Sequence, residues 1–139
     1  YIKDILSKII KKKCRDNNGA EERNIGLDDV LVVAPFNMQV NNLARLLPKD
    51  SKVGTIDKFQ GQEAKIVFIS MTASDPENIP RHKSFIFSRN RLNVAISRAE
   101  CSAIILFNPN LLNTSCQKIE EMKLINNFCK LLNFNVDKI

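Results

Sequence analysis

One stretch decides the fold of this chain: Val53-Gly-Thr-Ile-Asp-Lys-Phe-Gln-Gly-Gln-Glu63, followed at once by the apolar run Lys65-Ile-Val-Phe-Ile-Ser-Met71. It predicts a short strand that ends at Thr55, then a polar turn, then a buried strand. Loops that follow strands in α/β proteins place backbone N–H groups and short side chains around ligands. Gly61 lets the backbone bend and lets a phosphate approach closely. By itself the stretch is equally typical of an ordinary solvent-facing turn.

Strands and helices alternate on both sides of this stretch. The predicted elements are a helix over Tyr1–Lys13, a strand over Val30–Ala34, a helix from Asn37 (as its cap) to Leu47, a helix over Asn90–Glu100, a strand over Cys101–Phe107 and a helix from Gln117 to Leu132. Apolar positions at helical spacing, among them Ala44, Val94, Ile119 and Met122, are expected to face the core. The alternation predicts an α/β fold, with a mainly parallel sheet between two layers of helices.

Two segments between these elements lack a regular pattern. A polar loop is expected from Asp16 to Asp29, and an irregular segment, broken by Pro76 and Pro80, from Thr72 to Arg89. The second segment mixes basic residues with Phe85 and Phe87. Such a mixture is compatible with nucleic-acid binding, but we favour the interpretation that the phenylalanines hold the segment against the core.

Composition narrows the class of protein. With 139 residues, 44% of them hydrophobic and 26% charged, the chain is expected to form one soluble globular domain, and its net charge of +6 favours polyanionic partners. No apolar run reaches the roughly 20 residues that span a bilayer, so no membrane partner is expected. The four cysteines are far apart and His82 is the sole histidine, which predicts no metal site and a cytoplasmic protein.

A complete nucleotide-hydrolysing domain needs a phosphate-binding loop of the type Gly-x-x-x-x-Gly-Lys-Ser/Thr and a strand that ends in acidic ligands for Mg²⁺. None of the four glycines begins such a loop, and no predicted strand ends in Asp-Glu. If this chain handles ATP, it is therefore expected to hold only part of the site, with the remainder on another domain.

Three motifs in order resemble superfamily-one helicases, in the class that includes the RNA-surveillance helicase and the replication nuclease-helicase. The central stretch, Val53–Glu63, resembles their motif V, and Asn90-Arg-Leu-Asn-Val-Ala-Ile-Ser-Arg-Ala99 resembles motif VI. Val32-Val-Ala-Pro-Phe-Asn-Met-Gln39 resembles the strand and turn that open their second RecA-like domain. The resemblance implies a RecA-like, P-loop NTPase-type α/β/α sandwich that lacks its own Walker A loop. Residues 1–139 would then be one C-terminal helicase domain, a fragment of a longer protein.

The same resemblance implies a nucleotide site between two RecA-like domains, with ATP and Mg²⁺ bound mainly by the absent first domain. Arg98 matches the catalytic arginine finger, and Glu63 matches the glutamate near the ribose. Gly61 and Gln62 lie beside that glutamate and are assigned to the same site. Arg91 is a second basic candidate for the cleft, and an ordinary surface ion pair is an equally good interpretation of it.

The nucleic-acid contacts implied by the resemblance are Gly54 and Thr55, which match the motif V groups that hold a strand phosphate, together with Pro35, Phe36 and Gln39 in the opening turn. Gln60 lies between the two sites and is expected to couple them. The implied partner is single-stranded nucleic acid, DNA favoured over RNA, with movement in the 5′→3′ direction. Further implied partners are the first RecA-like domain and, as in some bacterial members, a fused RecB-like nuclease.

Two other functions compete with an ATP-dependent helicase domain. One is a stand-alone nucleic-acid-binding or regulatory α/β module without motor activity. The other is an α/β enzyme that uses the Thr55–Glu63 loop for a small substrate, although the sequence offers it no convincing nucleophile or base.

Overall fold

The computed structural model describes residues 1–15, 22–71, 83–113 and 115–134. The helices are α1 (Ile2–Ile9), α2 (Asn37–Leu46), α3 (Lys83–Ile86), α4 (Arg89–Ser97) and α5 (Ile119–Phe134). The strands are β1 (Lys13–Cys14), β2 (Arg23–Asn24), β3 (Val30–Val33), β4 (Lys52–Gly54), β5 (Ala64–Ser70) and β6 (Ala99–Leu106). Short 3-10 helices cover Leu27–Asp29, Ile56–Phe59 and Pro109–Asn113. Within the described part of the chain, no helix is long and apolar enough to cross a membrane.

The central sheet is parallel, as the alternating sequence pattern predicts. Its strands are ordered β4-β3-β5-β6, and all three pairings are parallel. Val33 is level with both Gly54 and Ile69, and these residues mark what we call the carboxyl end of the sheet. Ala64 pairs with Ala99, and these two residues begin the neighbouring strands β5 and β6 at the amino end.

Helices cover both faces of the sheet because its central strands are apolar on both sides. Every residue of β3 and of β5 is buried, as expected for parallel strands between helix layers. Leu6 of α1, Val40 and Leu43 of α2 pack on one face. Ala95 of α4 and Phe128 of α5 pack on the other face, together with Phe59. The predicted three-layer α/β fold is confirmed.

Several sequence expectations about helix ends were wrong. Phe36, not Asn37, is the N-cap of α2, because the N–H groups of Gln39 and Val40 already bond to the Phe36 carbonyl. The helix predicted over Asn90–Glu100 ends at Ser97, since Ala99 is drawn into the sheet by its pairing with Ala64. The first helix ends at Ile9 rather than Lys13, and Lys13 begins β1.

Some predicted core positions face solvent. Val94 is 40% exposed because α4 packs through Leu92 and Ala95 instead. Ile119 and Met122 are 71% and 60% exposed, since α5 buries its apolar side only from Ile125 onward. Ala44 is also exposed.

The irregular segments contain more structure than the sequence indicated. Part of the expected polar loop forms β2 and the 3-10 helix Leu27–Asp29, while residues 16–21 lie outside the described chain. In the second segment, Lys83–Ile86 is helical and Phe87 is buried in the core, as expected for an anchoring side chain. The prolines of that segment, with Arg81 and His82, fall within residues 72–82, which are not described.

Candidate functional site

Gly54 and Thr55 lie at the carboxyl end of β4. The Gly54 carbonyl accepts a hydrogen bond of 3.0 Å from the Ala34 N–H, which fixes the end of β4 beside the end of β3. A Cβ on Gly54 would lie 2.6 Å from Lys58 Cδ and 3.0 Å from Phe59 Cε2, so close packing requires glycine here. Thr55 is half-buried and makes no side-chain capping hydrogen bond to the 3-10 helix that follows it. Its hydroxyl is therefore not used in capping that helix.

The opening turn after β3 lies at the same end of the sheet. Pro35 and Phe36 are half-buried, and the Phe36 ring stacks on Phe85 with 5.3 Å between ring centroids and 18° between ring planes. The Gln39 amide donates to the Ser70 hydroxyl over 2.7 Å, and its Oε1 is buried without a partner among the described residues. Gln39 therefore has one polar group that the described residues do not satisfy. An unpaired buried amide oxygen of this kind costs about 1–3 kcal/mol.

The Thr55–Glu63 connection runs from the carboxyl end of the sheet to its amino end. Gly54 is level with Ile69, whereas β5 begins five positions earlier at Ala64, roughly 16 Å lower at about 3.3 Å per residue. Ile56 and Phe59 hold this connection in place because both are buried against the face of the sheet that α4 covers. Sequence reasoning treated this connection as a polar turn, but its two apolar side chains form part of the core.

Gln60, Gly61, Gln62 and Glu63 are all exposed as the connection reaches the amino end. Gly61 has a φ of 79°, a left-handed conformation that residues other than glycine rarely adopt. Among the described residues other than Gly61 and its two chain neighbours, no atom lies within 4 Å of the position that a Gly61 Cβ would occupy. The backbone here therefore borders open space, and both glutamine amides and the Glu63 carboxylate are accessible to a ligand.

Arg98 lies beside this loop. It is the C-cap residue of α4, and its carbonyl accepts a hydrogen bond of 3.0 Å from the N–H of Ala64, the residue after Glu63. Glu63 and Arg98 thus precede two paired residues of adjacent strands. The half-buried Arg98 guanidinium is 3.4 Å from both the Val94 carbonyl and the Ser97 hydroxyl. Among the described residues it forms no ion pair, which leaves its charge uncompensated.

Arg91 is not brought together with the other nucleotide-site candidates. It lies in the first turn of α4, about 10 Å along the helix axis from Arg98. Its Nη1 is 3.3 Å from Asp57 Oδ2, and its guanidinium carbon is 3.8 Å from the Phe85 ring centroid. The surface ion pair that the sequence left open is present, and it lies at the carboxyl end of the sheet.

A second set of charges lies near the amino end. Lys65 is 8% exposed at the start of β5, and its Nζ is 2.8 Å from Glu100 Oε2. Asp29 accepts two hydrogen bonds from the Arg23 guanidinium and one from the Gly26 N–H. The Arg23 hydrogen bonds hold the pKa of the Asp29 carboxyl below its ordinary value, and the Gly26 bond and the nearby Lys65 charge act in the same direction.

The sequence analysis assigned no role to three charged side chains that organise the two ends, Asp57, Lys65 and Glu100, and it predicted Phe85 only as an anchor to the core. Asp57 stood inside the motif V stretch without an assigned role. Lys65 carried a readable signal, since a charge inside an apolar strand must find a partner when it is buried. Nothing in the sequence shows that Phe85 would lie between Phe36 and Arg91, because that arrangement depends on tertiary packing.

Comparison with known proteins identifies the family to which this chain belongs. A family model described as an AAA domain matches residues 1–110. The chain is 34% identical over 114 residues, 78% of its length, to an uncharacterized ATP-dependent helicase of Methanocaldococcus jannaschii. It is 33% identical over 95 residues, 63% of its length, to the RNA helicase Mov10l1 of Homo sapiens.

A DNA polymerase alpha-associated DNA helicase A of Schizosaccharomyces pombe is 31% identical over 96 residues, 67% of the chain. The chain covers 8% of the human relative and 14% of each of the other two. The matched region is therefore one small part of each of these longer proteins.

Proposed function

The chain belongs to the AAA-domain family and is a superfamily-one helicase domain, and on that premise we propose that it is the second RecA-like domain of an ATP-dependent helicase. In this role it closes over a nucleotide bound mainly by a first RecA-like domain, and it contacts single-stranded nucleic acid. One observation carries the proposal. Glu63 and Arg98 lie next to each other at the amino end of the sheet, and Arg98 has no ion pair among the described residues. A surface that contacts one nucleotide requires this proximity.

The groups at the amino end fit a nucleotide. Gly61 offers backbone next to open space, where a phosphate or ribose can approach. The exposed Glu63 carboxylate accepts hydrogen bonds from ribose hydroxyls, and the Gln62 amide both donates and accepts. ATP with Mg²⁺ supplies, when bound, the phosphoryl group that is transferred to water. Arg98 then neutralises the negative charge that develops during transfer, an effect of about 10³–10⁵ in rate among related nucleotide hydrolases.

The groups at the carboxyl end fit a nucleic-acid backbone. The Thr55 hydroxyl donates to a phosphate oxygen, and the Gln39 amide nitrogen has a second N–H besides the one that it donates to Ser70. Phe36 and Pro35 supply apolar surface beside them. Contacts of this kind position a strand without reading its bases. The relatives include one named as an RNA helicase and one named as a DNA helicase. The test therefore includes both nucleic acids, and we expect DNA to be the one that is bound.

The test uses the full-length polypeptide that carries this chain. Arg98→Ala should lower the rate of ATP hydrolysis by about 10³-fold, with nucleotide affinity changed less than about threefold, because the guanidinium acts mainly on the transition state. Arg45→Ala is the matched control, since Arg45 is exposed in the last turn of α2 on the opposite face of the sheet. Hydrolysis and binding of a fluorescent ATP analogue are measured with single-stranded DNA and with RNA.

Normal hydrolysis by Arg98→Ala would remove Arg98 from the catalytic role. Robust hydrolysis by the 139-residue chain alone would contradict the expectation that it holds only part of the site. Strand binding by a full-length wild-type protein that hydrolyses no ATP would favour the alternative of a nucleic-acid-binding module without motor activity.

A further inference from the structure

Arg91 is linked to two separate turns at the carboxyl end of the sheet, to one directly and to the other through Phe85. Its ion pair with Asp57, 3.3 Å between charged atoms, joins it to the turn after β4. Its guanidinium lies over Phe85, whose ring stacks on Phe36 in the turn after β3. Arg91 therefore holds the first turn of α4 against both turns that carry the proposed strand contacts.

These contacts contribute little to overall stability. The Arg91 and Asp57 side chains are 35% and 71% exposed, and ion pairs this exposed to solvent stabilise a fold only slightly. A cation over an aromatic ring at such a site adds a contribution of similar size. What the arrangement supplies is orientation: a planar guanidinium held at its rim by a carboxylate and on its face by a ring has one preferred position.

The other end of α4 carries Arg98. Between the two arginines runs a short, regular helix that buries Leu92 and Ala95. Its last turn is held to the start of β5 by the hydrogen bond from the Ala64 N–H to the Arg98 carbonyl. A displacement of the turn after β4 therefore reaches Arg98 along α4 as the movement of a single rigid element.

We propose that Arg91 is a positioning residue, which through Asp57 and Phe85 ties the strand-contacting turns to α4 and so sets the position of Arg98. The inference rests on the proposed function and deepens it, since it names the route by which a bound single strand regulates hydrolysis. It also separates Arg91 from direct nucleotide contact. The Gln60 region joins the same two ends by a second, exposed route.

The experiment is a double-mutant cycle in the full-length protein, with Asp57→Asn, Arg91→Gln and the combined variant, and with Arg45→Gln as the control. Each single variant should lower the stimulation of ATP hydrolysis by saturating single-stranded DNA about tenfold, within the usual range of coupling between sites. The combined variant should lose no more than Arg91→Gln alone, because that change already breaks the contact that Asp57→Asn removes. The KM for ATP should change less than threefold in all of them.

Three results would overturn the proposal. A rise of tenfold or more in the KM for ATP in Arg91→Gln but not in Asp57→Asn would make Arg91 a nucleotide ligand. Multiplied losses in the combined variant would show that the two residues act independently, and retained stimulation in both single variants would show that neither positions Arg98. In each case the proposed function would still hold if single-stranded DNA stimulates ATP hydrolysis by the wild type and Arg98→Ala is inactive. A wild type whose hydrolysis is not stimulated by the strand would contradict both the proposed function and the positioning role of Arg91.

Discussion

Replacing Gly54 by alanine tests how closely the turn after β4 is packed. The added Cβ would lie 2.6 Å from Lys58 Cδ and 3.0–3.1 Å from two ring atoms of Phe59. The lysine chain can move, with loss of its 3.1 Å hydrogen bond to the Val53 carbonyl. Phe59 is only 3% exposed and part of the core, so it can move little. Overpacking of this kind costs about 1–3 kcal/mol.

Two other glycines provide matched controls for the same chemical change. At Gly26, with a φ of −100°, the nearest atom to an added Cβ is 3.7 Å away, so alanine should leave stability unchanged or raise it by up to about 1 kcal/mol. At Gly61 the space is open but φ is 79°, so alanine should cost about 1–2 kcal/mol through backbone strain alone. The three substitutions separate steric crowding, backbone strain and the plain loss of glycine.

Urea unfolding of the chain, followed by circular dichroism, measures all three variants. With a slope of about 1.5–2 kcal/mol per molar urea, a loss of 2 kcal/mol lowers the midpoint by about 1 M. A midpoint for Gly54→Ala equal to that of Gly26→Ala would refute the packing of Phe59 and Lys58 over Gly54. The slope itself should stay constant, because none of the three changes alters the surface exposed on unfolding.

Two further predictions concern the charges near the amino end. Because Arg23 holds the pKa of Asp29 below its ordinary value, the stability supplied by that carboxylate is fully present above the unfolded-state pKa near 4 and fades as the pH falls through the lower folded-state pKa. Arg23→Gln should therefore lower the urea midpoint at pH 7, and the difference from wild type should shrink as the pH is lowered below about 4. A difference that stays constant over that range would contradict the assignment. In the Lys65–Glu100 pair the lysine side chain is 9% exposed and the glutamate 30%. Glu100→Gln should therefore destabilise more than Lys65→Met, since it removes the carboxylate that lies 2.8 Å from the more deeply buried charge. The urea midpoint of Glu100→Gln should therefore be the lower of the two. A lower midpoint for Lys65→Met would show that loss of the partner destabilises the protein more at Glu100 than at Lys65.

The sequence was sufficient for the parallel sheet and its helix layers because those features follow from long apolar runs. Val30–Val33 and Ala64–Ser70 are buried at every position, and continuous burial is readable as a parallel strand without knowledge of the fold. Element ends were less predictable because local preference competes with pairing. Ala99 has a high helix propensity, yet it lies in β6 because Ala64 lies opposite it.

The candidate site, like the fold, could be predicted only in part from the sequence. The resemblance to helicase motifs V and VI predicted that Glu63 and Arg98 belong to one site, and their adjacent positions just before β5 and β6 are compatible with that expectation. The position of Arg91 could not be read from motif VI, because Arg91 and Arg98 lie in one short motif but at opposite ends of α4. Only the packing of Phe85 and Asp57 around Arg91 distinguishes the two arginines.

Ion pairing distinguishes Arg98 from Lys65 and Arg91, two other cations near the ends of the sheet. Lys65 has Glu100 and Arg91 has Asp57, whereas Arg98, within the part of the chain that the structure describes, has only a carbonyl and a hydroxyl of its own helix. A built-in carboxylate would compete with a phosphate for the guanidinium and would weaken its response to charge that develops during a reaction. An arginine that acts on a phosphoryl group should therefore remain uncompensated in the absence of that group, and among these three cations only Arg98 meets that requirement.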